Sequence, residues 1–554
     1  MPDEAPQSNV LKSIRSASGG VNTFDSPLDI RDDQCVDMTN GYAPGPGVLR
    51  VRPGSSIVAT GVTWGPVLAM SEYTPSSYTP ELLIVTPGAT YPNAAHLKLW
   101  KWDGTGSQFT LMGTLTGLTA PTLPVDIITG LDLNAPGGPA VAQIRNRQPL
   151  DFFYVYAGAA LTLATGGAPS TGMFPFGTAV GRGFAAGRPG TARGKIFYSD
   201  VASYTVTGMN TNQSFTMGGG TRQEIVALKE FRSSDLIAFL SDRIEMLQLD
   251  GDPLANLTGS LTAAGLWSRV VVDKTIGCCS RRTVQTVGED LFFCDQYGNV
   301  RSLNRTITDN NQGTKSLPVS AAVQTFIDRI NPNAFDTIVA ASYDRYYVVS
   351  FPLDNAVTPS HTLVYDTINK AWYGPWDGPW ARTSSLTVAT LVGATSSSDR
   401  NPTLYIGGAE TGNAMVYRAF TGNGDSGSAI TLQEVTKRES YGTLDRRKRG
   451  SRLRVYALPS AGATLMVECR PNGGAYRFLG YMDMSGESPQ LPLTGPIDFT
   501  GAGVVEGVFT IEGIDPSIDF QARFTATASS DLQLLGYTWE ALIDNVDDTV
   551  KPLA

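Results

Sequence analysis

Two histidines, His96 and His361, are all the imidazole in the chain, so a His-rich metal centre lacks ligands and a Ser-His-Asp triad would have to use one of them. The five cysteines, Cys35, Cys278, Cys279, Cys294 and Cys469, are odd in number, scattered and without a C-x-x-C pair. That is neither a disulfide scaffold nor a zinc ribbon. In a strand the vicinal Cys278 and Cys279 alternate faces, which turns one thiol inward as a small hydrophobe and argues against a redox role. The chain has no P-loop, G-x-G-x-x-G, H-E-x-x-H or G-x-S-x-G motif. Gly181 and Gly183, and the run Gly218, Gly219 and Gly220, read as turns, since neither clearly opens a helix that could hold an anion. Ser199 with Asp200, Ser241 with Asp242 and Ser398 with Asp399 match only the first letters of the sialidase S-x-D-x-G-x-T-W repeat and read as Asx turns. Asp544, Asp547 and Asp548 lack the Gly and bidentate Glu of an EF-hand and read as a solvated acidic tail. The 51 Asp and Glu could supply the two carboxylates of a glycosidase, but nothing in the sequence singles out a pair. No catalytic, metal or cofactor residue is therefore assigned.

Two features point to binding. Trp372, Tyr373, Trp376 and Trp380 are dense enough to stack on sugars, although the interspersed Gly and Pro favour packing at a sheet edge. Between 437 and 454 lie eight basic residues (Lys437, Arg438, Arg446, Arg447, Lys448, Arg449, Arg452, Arg454) against Glu439 and Asp445, in a chain of net charge −9. The run Arg446, Arg447, Lys448 and Arg449 is the candidate for docking against an acidic partner or a phosphate backbone, its bland reading being a solvated loop.

The elements that must carry these residues are strands. Charged residues make up only 17% of the chain, while glycine (59) and proline (34) are frequent, which argues against a mainly helical protein or a coiled coil. No stretch approaches the ~18 consecutive apolar residues of a membrane helix. The polar start lacks a signal peptide's apolar core, so a soluble protein made in a reducing cytoplasm is expected. The first eighteen residues read as a flexible arm, and 19–54 as an extended segment full of turn residues. From 61 to 415 short apolar runs alternate with turn signals: 97–113 with a tight turn at Asp103 and Gly104, 235–249 turning at 241–243, 290–303 at 295–299, 362–376 at 366–370, and 404–420. Irregularly repeated hairpins of this kind are the text of a β-propeller, and some 355 residues at roughly 40–50 per blade allow about six to eight blades. Val319, Val323, Phe326, Ile327 and Ile330 form one apolar stripe and predict a helix, with Ser316 as a cap and Asn331-Pro332 as a stop. Beyond 416 the strands alternate regularly, as in a half-buried sandwich; Val508, Thr510 and Glu512 oppose Phe509 and Ile511. The reading is an all-β chain: an arm and platform segment at 1–60, a propeller at 61–415, and an antiparallel β unit at 416–554.

These residues resemble a family. Gly19, Gly20 and Asn22, then Asn40, then Leu49, Arg50, Val51, Arg52, Pro53 and Gly54 resemble the N-terminal signature of phage virion proteins, GG-x-N followed at a distance by L-x-x-RPG. With 195–201, 275–303 and 341–376, the chain is similar over about 19–420 to the tail nozzle, or tail tubular protein B, of short-tailed bacteriophages. The resemblance implies a virion protein, assembled in the host cytoplasm, of which several copies, usually six, form a ring below the portal and adaptor. It implies an outer propeller, a central tube that passes and gates the genome, fibres or spikes attached around it, and no enzymatic activity. An acidic balance suits a tube that must release DNA, because a basic lining would hold phosphates by counterion release. The alternative reading is a propeller that binds or cleaves host-surface polysaccharide through the tryptophans at 372–380.

Overall fold

The middle strands of the central region are short runs such as Glu81–Pro87, Asp235–Leu240 and Tyr346–Phe351, and every residue of each is buried. Continuous apolar runs of about four to eight residues bounded by turn signals are what a strand covered on both faces requires. The computed structural model describes residues 8–543 apart from 59–64, 76–78, 89–95, 105–108, 117–124, 132–139, 147–153, 159, 164–175, 188–193, 202–208, 218–222, 233, 250–266, 392–401, 410–414, 442–447, 486–502, 512–516 and 529–530. Its described residues are mostly strand, arranged in many small sheets.

Seven antiparallel meanders follow one another, here called sheets I to VII. Their first strands are Ala69–Tyr73, Val125–Leu131, Phe176–Ala179, Ile225–Phe231, Gln285–Val287, Val339–Tyr343 and Thr383–Ala389. Ser55–Ile57, from far upstream, adds to sheet VII by antiparallel pairing with Val416–Ala419. Each sheet packs on the next through apolar side chains. Leu83 and Leu99 of sheet I meet Ile144 and Tyr156 of sheet II, and Tyr198 and Phe215 of III share a cluster with Leu236 and Trp267 of IV. Met70, Ile84 and Trp102 of sheet I likewise share a cluster with Ala389 and Tyr405 of sheet VII.

Turn chemistry recurs. Asp295 Oδ1 accepts from the backbone N–H groups of Tyr297 and Asn299, and Asp366 Oδ1 from those of Ile368 and Asn369, so each aspartate closes its hairpin as an Asx turn. The hairpin at 97–113 departs from the tight-turn expectation. Lys101 pairs with Thr110, so the connection is longer than Asp103 and Gly104, although Gly104 does take a positive φ of 88°. The single helix expected at 318–330 is broken. A 3-10 segment, Val319–Val323, precedes one α-turn, Gln324–Ile327, and Pro318 rather than Ser316 stands at the N-cap. Buried Ser320 accepts from the N–H of Val300, which holds the first turn against the neighbouring strand, while Val323, Phe326, Ile327 and Ile330 still share one buried stripe. The α-helix Leu303–Asn311, capped by the Ser302 hydroxyl, escapes sequence reading because only Leu303 and Thr306 are buried.

The C-terminal strands form two sheets whose apolar faces meet, Phe520 against Trp539 and Phe524 against Tyr537. The N-terminal residues are no flexible arm from Ser8 onward. Ser8–Arg15 pairs along its whole length with Gln533–Ile543, and Ile14, Ser16 and Ala17 are buried. The change of texture near 415 is no break in hydrogen bonding, since Ser55–Ile57 bridges Val416–Ala419 to Gly424–Asp425 and onward into Ser428–Thr436.

One buried cation joins these parts. Arg52 is 1% exposed. Its Nε donates to Asn40 Oδ1 (2.8 Å), its two terminal nitrogens grip Asp425 (3.0 and 2.5 Å), and further bonds reach the carbonyls of Pro53 and Asp377. Asn40 Oδ1 also accepts from the N–H of Asp377. The N-terminal segment, sheet VI and the C-terminal strands thus share one guanidinium. Removing one partner of a buried pair leaves the other charge uncompensated. Arg52→Ala is expected to cost about 3–5 kcal/mol, and Arg52→Lys most of that because an ammonium cannot match the planar fork; denaturant unfolding measures both.

Glu434, 2% exposed on Ser428–Thr436, lies beside the N-terminal segment. Burial pushes its carboxyl up to about 7, opposed in part by the N–H of Ala17. A carboxyl raised in the folded state stays protonated there while the unfolded chain ionises near its ordinary value. Its stabilising contribution is therefore full at acid pH and is lost as pH rises from about 4.5 towards 7. Glu434→Gln should flatten the stability profile across that window and raise stability above it, as read by unfolding midpoints at pH 4.5 and 8.

Candidate functional site

The basic segment folds mostly into internal pairing. Lys437 donates to Asp32 (2.6 Å) and to the carbonyl of Ile30, Arg438 makes a two-point contact with Asp519, and Arg454 lies between Glu540 and Glu506. Of the docking run, Arg446 and Arg447 lie outside the described residues. Lys448 is fully buried, its ammonium donating to the carbonyl of Ile518 (2.9 Å), because the strand Lys448–Ala457 turns this side chain inward; it is an internal group and offers no docking charge. Arg449 and Arg452 are exposed.

Beside this strand the two C-terminal sheets end. Arg477–Asp483 pairs only with Thr464–Pro471, and Val505–Thr510 only with Lys448–Ala457, so each is an edge strand among the described residues. The two edges lie together, with Phe509 against Gly480 and Met482 against Gly507. Val508 (52%), Phe478 (54%) and Tyr481 (66%) are exposed on them. Side chains three apart on a regular strand point to opposite faces. Here the register slips between Val467 and Glu468, whose partners are Gly480 and Phe478. The bulge lets Phe478 and Tyr481 touch at a ring distance of 4.9 Å. Sequence alternation gave no sign of this pair; Gly480 was the one available signal, since glycine inside a strand often marks a bulge.

The aromatic cluster is core. Trp372, Trp376 and Trp380 are 2%, 1% and 0% exposed. Trp376 and Trp380 meet edge to face at 5.1 Å, and Phe420 packs on both. Trp376 Nε1 donates to the carbonyl of Gly41, Tyr373 Oη to that of Ser18, and the N–H of Val21 to the carbonyl of Trp372. The cluster receives the N-terminal segment, which is why sugar stacking on these rings has no surface to act through. Gly20 has a φ of 77°, and a Cβ there would meet the Trp372 carbonyl at 2.3 Å.

The other chemical candidates are structural. The thiols of Cys278 and Cys279 are raised by burial, but the pair lies in irregular backbone rather than the expected strand; the N–H of Cys279 bonds the carbonyl of Cys294. Gly181 and Gly183 belong to a tight hairpin in which Ala179 pairs with Arg182. Gly218, Gly219, Gly220, Ser398, Asp399, Asp544, Asp547 and Asp548 lie outside the described residues. His96 is exposed. His361 Nδ1 lies 3.0 Å from Ser360 Oγ, but Asp354 is committed to Arg329 and the serine oxygen accepts from the N–H of Leu353, so no triad is arranged.

The first strands of all seven small sheets line two adjoining cavities of about 390 and 510 Å³. Their charged lining is Asp126, Lys229, Glu230, Arg281 and Arg282. Asp126 is ion-paired with Arg281 and Glu230 is exposed, so the described lining offers no pair of free carboxylates facing each other across a glycosidic bond.

No family model and no curated protein sequence matches the chain. Among solved structures it is similar to an exo-beta-1,3-galactanase from Phanerochaete chrysosporium (9% identity, 89% of this chain and 100% of that one, TM-score 0.28). It is similar also to a GH43_1 enzyme from Xanthomonas citri (9%, 66% and 90%, 0.28) and to YCF48 from Cyanidioschyzon merolae (9%, 66% and 98%, 0.27). At these TM-scores the likenesses carry no argument about activity.

Trp380→Ala is expected to lower folding stability by about 3–5 kcal/mol, the usual cost of emptying an aromatic core site. Calorimetric unfolding checks this, and a soluble oligosaccharide should leave the intrinsic fluorescence of the native protein unchanged.

Proposed function

We propose that this chain is a structural subunit of a tail nozzle of the short-tailed phage type, built from a seven-bladed propeller, spanning roughly 61–415 with Ser55–Ile57 completing the last blade, and a platform sandwich from the N-terminal segment and 416–554. The closing of sheet VII by an upstream strand, the shared apolar cluster of sheets I and VII, and the common cavity of the first strands support the ring of blades. The observation that carries the assembly role is the pair of open edges at Arg477–Asp483 and Val505–Thr510 with exposed Phe478, Tyr481 and Val508. An unprotected edge with aromatic side chains is a template for another chain. The signature residues Gly20, Asn40, Arg52 and Gly54 all serve the junction between parts, which suits a scaffold.

In this reading the edges meet copies of the same chain, Arg449 and Arg452 face an acidic adaptor or a fibre, and the net charge of −9 keeps the tube from retaining the genome. The subunit has no catalytic role. No described helix is long and apolar enough to cross a membrane.

Mass measurement of the purified protein, alone and with its adaptor, is expected to give a closed oligomer, six copies being the family's usual number. Phe478→Asp with Tyr481→Asp should yield a folded monomer. A wild-type protein that stays monomeric under both conditions and releases reducing sugar from host polysaccharide would overturn the proposal.

A further inference from the structure

The two cavities share Ser71, Asp126, Ile127, Lys229 and Arg282 in their linings. We propose that this shared region binds a small oxyanion of the phosphate or sulfate class between Lys229 and Arg282. The site is independent of the assembly role, since it lies among the small sheets and away from the open edges.

The charges of the lining do not balance. Within the lining Arg281 and Asp126 are ion-paired, while Lys229 and Arg282 remain and Glu230 is the other carboxylate, exposed to solvent; Asp336, outside the lining, acts on Arg282 and leaves Lys229 uncompensated. Among the described residues the Lys229 ammonium has no hydrogen bond or ion pair, and Glu230 is its charged neighbour along the strand. Burial lowers the affinity of its amine for a proton, which is the response of an ammonium withdrawn from water without a counter-charge. Arg282 is fixed differently. Its terminal nitrogens donate to the carbonyls of Ser384 (3.0 Å) and Thr337 (3.1 Å), and its buried Nε has no partner. A buried N–H without an acceptor is costly and is normally satisfied. An oxyanion supplies what both groups lack: negative charge for the ammonium and an acceptor for Nε–H. The volumes are those of small-molecule sites and admit either a free anion or the phosphate of a small ester.

Calorimetric titration of the full-length protein, in chloride buffer at constant ionic strength, uses inorganic phosphate, sulfate and ribose 5-phosphate as probes, with sodium chloride and ribose as controls. Saturable binding of the oxyanions is expected, weakened at least tenfold in Lys229→Met and in Arg282→Gln and retained in Lys229→Arg. Tighter binding of ribose 5-phosphate than of phosphate assigns the site to an ester; equal binding assigns it to the free anion. A response to phosphate no greater than that to chloride, or full binding by Lys229→Met, overturns the proposal. Should the variants fail to fold, the NMR signal of Lys229 after reductive ¹³C-methylation of the wild type decides. Phosphate should shift it, and an unmoved signal rejects the site whatever the oligomeric state.

Discussion

A guanidinium removed from water must have all its N–H groups met, and Arg52 meets them with groups drawn from three distant stretches of chain: Asn40 and Pro53, Asp377, and Asp425. Such a charge tolerates little displacement, because losing any partner leaves an expensive hole in the network. The surrounding backbone is built to the same tolerance. Ser55 Oγ adds a bond to Asp425, and Gly54 lies so close to Gly424 that a Cβ would meet its carbonyl oxygen at 2.1 Å. The buried cluster around this point takes in Val21 and Leu49 of the N-terminal segment, Trp376 and Leu404 of the late small sheets, and Leu432 and Trp539 of the C-terminal sheets. A mixed core of that kind makes the N-terminal segment, the C-terminal sheets and the last small sheets one packing unit.

The aromatic segment at 371–380 belongs to the same constraint. Trp372 and Trp376 donate their indole N–H groups to backbone carbonyls of other segments, Val319 and Gly41, and Trp380 meets Trp376 edge to face. Aromatic rings that dense can stack on a carbohydrate only when one face stays wet. Burial on all sides commits them to holding the N-terminal segment, whose glycines accept the close approach.

Charge is distributed by the same logic. Lys437, Arg438 and Arg454 of the basic segment neutralise carboxylates within the fold, and the exposed Arg449 and Arg452 stand beside the two open edges. Ser55–Ile57 covers the edge of Val416–Ala419, whereas Arg477–Asp483 and Val505–Thr510 have no second strand among the described residues. The bulge that brings Phe478 and Tyr481 together on an exposed edge is the feature on which the proposed meeting with another chain rests.

Strand content, the hairpin turns at Asp295 and Asp366, and the even alternation beyond 416 were legible in the residues, because each depends on local rules: period two for a pleated strand, Asx geometry for a tight turn. The scarcity of His and patterned Cys likewise limited the available chemistry without any coordinates. Four things were decided only by tertiary contacts. Ser8–Arg15 is a strand because Gln533–Ile543, more than five hundred residues away, offers it an edge. The segment at 319–327 breaks at Val323 into a 3-10 stretch and one α-turn, and Ser320 ties the first part to Val300 on a neighbouring strand. Lys448 is buried and Arg449 exposed, a difference of one position on a strand whose facing only the sheet could set. Lys229 meets Arg281 and Arg282 only because the first strand of one sheet and the 3-10 turn ahead of the next line one space. Local pattern determines which elements form; which charges end up together depends on how elements distant in sequence pack, and no spacing along the chain encodes that.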